Sequence, residues 1–183
     1  MSVSVPRRSD RHGLALRLLH WLTVALVVLQ LTLAGLNAWL YEPRPILAEA
    51  LVQAHISSGA VLLALTMIRI AVRSFGHGAL PSISRWPVVA RAVQLCLYVC
   101  LIMLPVSGYV RLAALGFPIE LFGVVPLPTL WLAPDLALRA AAAHNALVII
   151  FIGAIISHTA GVLLHRQLTG ESVISRIGFG PSR

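Results

Sequence analysis

Four long stretches without a formally charged side chain alternate with shorter polar segments along this chain. They run from Leu18 to Tyr41, from Ala50 to Ile68, from Ala92 to Val110 and from Ala140 to His165. Each is close to or above the roughly 20 apolar residues that an α-helix needs to cross a bilayer. With a polar turn allowed at the ends, the pattern predicts helices over about 14–41, 50–73, 88–110 and 136–166, all in one domain, 1–183. Pro43 and Pro45 mark EPRPILAE as a short loop, and the Gly, Ser and Pro of SFGHGALPSISRWP mark a second. Pro105 and Gly108 are expected to bend the third helix or loosen its last turn. Residues 111–139 form the longest connection, with Pro118, Pro126, Pro128 and Pro134, yet it is apolar for a loop. It is expected to lie at the membrane interface and roof one end of the bundle, with Trp131 as an anchor.

Composition sharpens this to an integral membrane protein of the all-α class. Only 11% of the 183 residues are charged, 58% are hydrophobic, and the mean hydropathy is +0.90. Soluble domains carry about 25% charged residues. The first apolar run is too long for a secretory signal and lacks its small-residue cleavage site. A net charge of +8 invites a nucleic-acid reading, but all fourteen basic residues are arginine and fall between the apolar stretches. Orientation in the membrane explains them better, and no nucleic-acid partner is expected. An even number of spans puts both termini on one side. That side holds Arg7, Arg8, Arg11, Arg17, Arg69, Arg73, Arg85, Arg91, Arg166, Arg176 and Arg183. The other holds Arg44, Arg111 and Arg139. The positive-inside rule therefore predicts a multi-pass protein with both termini in the cytoplasm. Cys96 and Cys100, one turn apart in an apolar run, read as small packing residues.

The candidate chemistry lies in the histidines. His20, His55, His144 and His158 sit inside the predicted spans, where ionisable side chains are costly and mark functional sites. His12, His77 and His165 are read as loop or helix-edge residues without a role. His144 and His158 are fourteen residues apart, about 21 Å of rise and nearly four whole turns, so both leave one face of the fourth helix. Depth then sorts the four into His20 with His158 near the cytoplasmic side, and His55 with His144 near the periplasmic side. Two neutral imidazoles from different helices at one depth suit the axial positions of a haem iron. Zinc would need four ligands around one ion, and two pairs about 20 Å apart cannot supply them. Ser58, Gly59, Ala140, Ala141 and Gly161 flank these histidines, fitting either a flat macrocycle or close helix contacts. Arg17, Arg69 and Arg73 are candidate partners for haem propionates, beside their role in setting topology.

The ordered set of LHWL with His20, HISSG with His55, the paired arginines of RIAVR, LPVSG closing the third helix and the two fourth-helix histidines resembles the bacterial cytochrome b561 family. That family of four-helix di-haem membrane cytochromes also contains the cytochrome b subunits of nickel–iron hydrogenases. The resemblance covers about residues 11–180. It implies a four-helix bundle in the bacterial inner membrane enclosing two b-type haems, with His20, His55, His144 and His158 as axial ligands. Ala143 stands where the family often has tryptophan before the ligand. Stand-alone members of this size look like superoxide oxidases, which pass an electron from superoxide at the periplasmic face to ubiquinone in the membrane. Arg44, Arg111 and Arg139 are then candidates for steering a small anion. The alternative is a membrane-anchoring cytochrome b subunit that passes electrons between quinone and a soluble dehydrogenase or hydrogenase. No residue is assigned to catalysis itself.

Overall fold

The computed structural model describes residues 13–75, 86–128, 130–170 and 177–178. Four helices dominate it: α1 Leu14–Leu40, α2 Pro45–Phe75, α3 Pro87–Ala114 and α4 Asp135–Thr169. All four are long and apolar enough to span a membrane.

Three boundaries differ from the expectation by three residues or more. α2 starts at Pro45 and absorbs five of the eight residues of the predicted EPRPILAE loop. Proline is well placed there, because the first helical N–H has no intrahelical partner to lose. α3 runs through Pro105 to Ala114 and so outlasts its predicted end at 110. α4 continues past 166 to Thr169, where Gly170 at φ 72° closes it with its N–H on the Arg166 carbonyl at 3.0 Å. A left-handed C′ residue is the conformation that glycine adopts without a Cβ penalty.

The helices pack as two antiparallel hairpins, α1 with α2 and α3 with α4, joined by a lighter contact of α2 with α3. Among the described residues, α1 and α4 do not approach within 8 Å at any Cα. A small core of Leu62, Cys100, Leu101 and Phe151 fastens the hairpins together, with Leu26, Val27 and Leu147 against it. Cys96 and Cys100 are free thiols, and Cys100 is a packing residue as expected. Outward positions such as Val28, Leu95 and Leu138 are apolar, which suits lipid contact. Hydroxyls inside the bundle bond back along their own helix, Thr23 to the Leu19 carbonyl and Thr66 to that of Leu62, both at 2.7 Å. That satisfies them without a cross-helix partner. Asn37 Nδ2 instead crosses from α1 to the Ala48 carbonyl of α2, at 2.8 Å.

The long α3–α4 connection forms the expected roof. A two-stranded antiparallel hairpin, β1 Glu120–Leu121 and β2 Val125–Pro126, turns at Phe122 and Gly123, both at positive φ. The roof is clasped to α2, where Phe122 N–H donates to Ser57 Oγ at 2.8 Å and Gln53 Nε2 donates to the Glu120 carbonyl. On α3, Tyr109 OH donates to the Pro128 carbonyl. Trp131, beyond the hairpin, is 97% exposed. At the opposite end the C-terminal segment returns to the start of α1. There Trp21 Nε1 donates to the Ile177 carbonyl at 3.0 Å, and Arg17 donates to that of Gly178 at 2.9 Å.

Candidate cofactor site

Beneath the roof lies a cavity of about 870 Å³ with an almost wholly apolar wall. Its size is that of a small-molecule or cofactor site. His55 of α2 and His144 of α4 both line it, with Gln30, Gly59 and Phe151, and the roof residues Ile119 and Leu121 cover one side.

The His144 ring is fixed by α3. Its Nδ1 lies 3.0 Å from Ser107 Oγ and 3.1 Å from the Leu104 carbonyl. Ser107 spends its own proton on that same carbonyl, at 2.9 Å. Both neighbours of Nδ1 are therefore acceptors, so Nδ1 carries the proton and Nε2 keeps its lone pair. This is the tautomer that an imidazole needs to ligate a metal through Nε2. Gly108 stands one turn on from Leu104, and a Cβ there would touch the ring at 3.8 Å.

His55 is held through its backbone. Its carbonyl accepts Gln30 Nε2 from α1 at 3.0 Å, while its Nδ1 is buried without a hydrogen-bond partner. Gly59 makes room for that crossing, since a Cβ there would come 2.9 Å from Gln30 Nε2.

The second predicted pair stands on α1 and α4, the two helices that remain apart. His20 and His158 are both half-buried. His20 stacks edge-on to Trp21, with ring centroids 5.5 Å apart. Among the described residues, no three His, Cys, Asp or Glu side chains gather as a metal-ion site.

A family model described as prokaryotic cytochrome b561 matches residues 11–180. The chain belongs to the prokaryotic cytochrome b561 family. It is also 30% identical over 136 residues to "Cytochrome b561 homolog 2" of Escherichia coli strain K12, covering 69% of this chain and 68% of that protein. This member of the cytochrome b561 family is therefore a four-helix membrane electron-transfer protein, and the family implies b-type haem. The cavity under the roof fits that group. Two histidines from different helices share it, one already in the ligating tautomer, and its apolar wall suits a macrocycle.

The predicted arginines fall into distinct settings. Arg17 is engaged by the C-terminal segment, and Arg69 lies over the Tyr98 ring at 5.7 Å to its centroid. Arg73, Arg44 and Arg111 are exposed. Arg139 is exposed too, but pairs with Asp135 at 3.2 Å, so its charge is partly offset. His12 and His77 lie outside the described residues.

His165 departs from expectation. Expected at a helix edge, it lies inside α4, only 5% exposed, with neither ring nitrogen hydrogen-bonded. The reason is that α4 continues for another turn beyond its last apolar run, which carries His165 two turns below His158 on the same side. Sequence reasoning also missed Ser107 and Gln30. Their signal was present, because a hydroxyl or carboxamide in a span needs a partner.

Proposed function

We propose that this cytochrome b561-family protein holds two b-type haems and oxidises superoxide at its roofed end, delivering the electrons to ubiquinone. His55 and His144 would hold one haem, and His20 and His158 the other, each pair joining the first helical hairpin to the second. The observation that carries the reading is the His144 ring, protonated on Nδ1 by its bonds to Leu104 and Ser107 and lining the same cavity as His55, which leaves the Nε2 lone pair free to ligate. Haem, when bound, supplies a one-electron ferric/ferrous couple at each end of the bundle.

The chain's own residues do the rest. The roof covers one side of the His55–His144 cavity and its wall is apolar, both of which disfavour water there. Arg111 and Arg44, exposed at that end, attract an anion, while Arg139 contributes less because Asp135 lies beside it. Each superoxide gives up one electron and leaves as dioxygen. Two electrons and two protons convert the quinone to quinol, so two superoxide ions are consumed per quinol formed. The excess of arginine at the end bearing the termini supports a cytoplasmic placement for it, with the roof in the periplasm of the bacterial inner membrane.

The test is to mix superoxide with the oxidised, purified protein and a soluble quinone, following haem absorbance and quinol. Fast reduction that slows as salt rises is expected. Slow reduction that is indifferent to salt would end the superoxide reading. Reduction only by a co-purifying soluble dehydrogenase or hydrogenase would make the chain a membrane-anchoring subunit instead.

A further inference from the structure

We propose that Gln30 is the positioning residue for His55, its side-chain oxygen accepting the Nδ1–H of that ring and turning Nε2 toward the cavity. The inference rests on the ligation proposed above and deepens it.

The two imidazoles of the cavity are supported unequally. His144 has two acceptors at Nδ1, the Leu104 carbonyl and Ser107 Oγ. His55 Nδ1 is buried with none. A buried imidazole with a free N–H is costly, and a metal-ligating histidine almost always gives that proton to a neighbour. One buried acceptor beside it is also unused, Gln30 Oε1. The same carboxamide already touches His55, because Nε2 donates to the His55 carbonyl at 3.0 Å. Donor and acceptor thus lie on two residues already joined by one hydrogen bond, their needs complementary, and the proposed second bond forms by side-chain rotation. Gly59 leaves the room in which the amide lies. Any side chain there would push into Gln30 Nε2, at 2.9 Å from a Cβ. A glutamine in a membrane span, facing a cavity and wedged against a glycine of the next helix, is doubly expensive unless it holds something.

The consequence is electronic. An acceptor on Nδ1 makes the imidazole a stronger donor through Nε2, which favours the ferric state and lowers the reduction potential of the haem it binds. Gln30→Leu removes the acceptor. In redox titrations of the haem-loaded protein, the component that His55→Ala abolishes should move to higher potential by about tenfold in equilibrium constant, or about 59 mV for one electron. The component that His158→Ala abolishes should stay in place. Gly59→Ala, which displaces the amide while leaving glutamine present, should shift the same component in the same direction. Gln30→Glu keeps an acceptor oxygen and should bring the potential back to or below the wild-type value.

A full haem complement in Gln30→Leu with both potentials unchanged overturns the proposal, and so does an equal shift of both. If Gln30→Leu fails to fold or load, Gly59→Ala decides alone, and an unmoved potential there is fatal. Absence of any component that His55→Ala removes would instead refute the ligation on which the proposal rests, and the two failures are told apart by that control.

Discussion

Ser107 of α3 and His144 of α4 meet at 3.0 Å, the hydroxyl oxygen against Nδ1 of the ring. Neither residue is adjacent to the other in sequence, and the contact ties the orientation of one imidazole to the packing of the second hairpin. The Leu104 carbonyl shares the load, at 3.1 Å. Ser107→Ala should therefore keep the haem but hold it less firmly, by about tenfold in affinity as is usual for such supporting contacts. Transfer of haem to apomyoglobin measures it, and an unchanged transfer rate would show that Leu104 suffices.

The four histidines should separate into two pairs under mutation. His55→Ala and His144→Ala are expected to remove one and the same spectral component, and His20→Ala and His158→Ala the other. Difference spectra of the four variants, each with a haem-to-protein ratio, check this. Should His20→Ala and His55→Ala remove the same component, pairing by depth is wrong.

His165 is buried without a hydrogen bond at either ring nitrogen. An unsatisfied buried polar group costs about 1–3 kcal/mol, whereas an apolar group of similar shape is neutral or better. His165→Leu should thus load both haems and melt no lower than the wild type in detergent. A haem lost in His165→Leu and kept in His158→Ala would move the ligand two turns along α4.

Charge at the roofed end offers a two-sided test. Arg111→Gln should slow superoxide consumption by about two- to threefold at low salt, since a local field of arginines acts mainly on the encounter rate. Asp135→Asn releases Arg139 from its ion pair and should speed it by a similar factor. Both effects should fade at 1 M salt, where the Debye length is about 3 Å. Stopped-flow traces at several ionic strengths decide, and opposite charges changing the rate in the same direction would rule out steering.

The hairpin turn carries a local cost. Phe122 has φ 56°, a region that Asn and Gly occupy far more readily than Phe, followed by Gly123 at 69°. Phe122→Asn should stabilise the roof by about 1 kcal/mol, seen as slower proteolysis of the 120–126 segment. Faster cleavage would mean that the Phe122 ring itself holds the roof down.

How far this could be read beforehand depends on the kind of interaction. The spans were legible because a bilayer demands an unbroken apolar run, and the helix rise alone set His144 and His158 on one side of α4. The roof was legible from prolines in an apolar segment, and the structure adds the Ser57 and Gln53 contacts that fasten it. Where the reading failed, the deciding partner was distant in sequence or outside the apolar run. The gap from Ser107 to His144 is thirty-seven residues and from Gln30 to His55 twenty-five. Neither has a spacing signature, only the general demand that a polar group in a span be satisfied. Pro45 was read as a breaker because its role depends on whether it falls inside a helix or at its first residue, which one sequence does not say.

The division into two hairpins bears on how such a protein is assembled. Under the proposed ligation, α1 and α2 supply His20 and His55, and α3 and α4 supply His144 and His158, so neither half holds both ligands of any haem. The hairpins meet in only a modest core and leave α1 and α4 apart. Haem would then act as a clasp between the two halves, and loading would wait until the last span has entered the membrane. Cut within 76–85 and produced as two fragments, the chain should come together again only in cells that make haem.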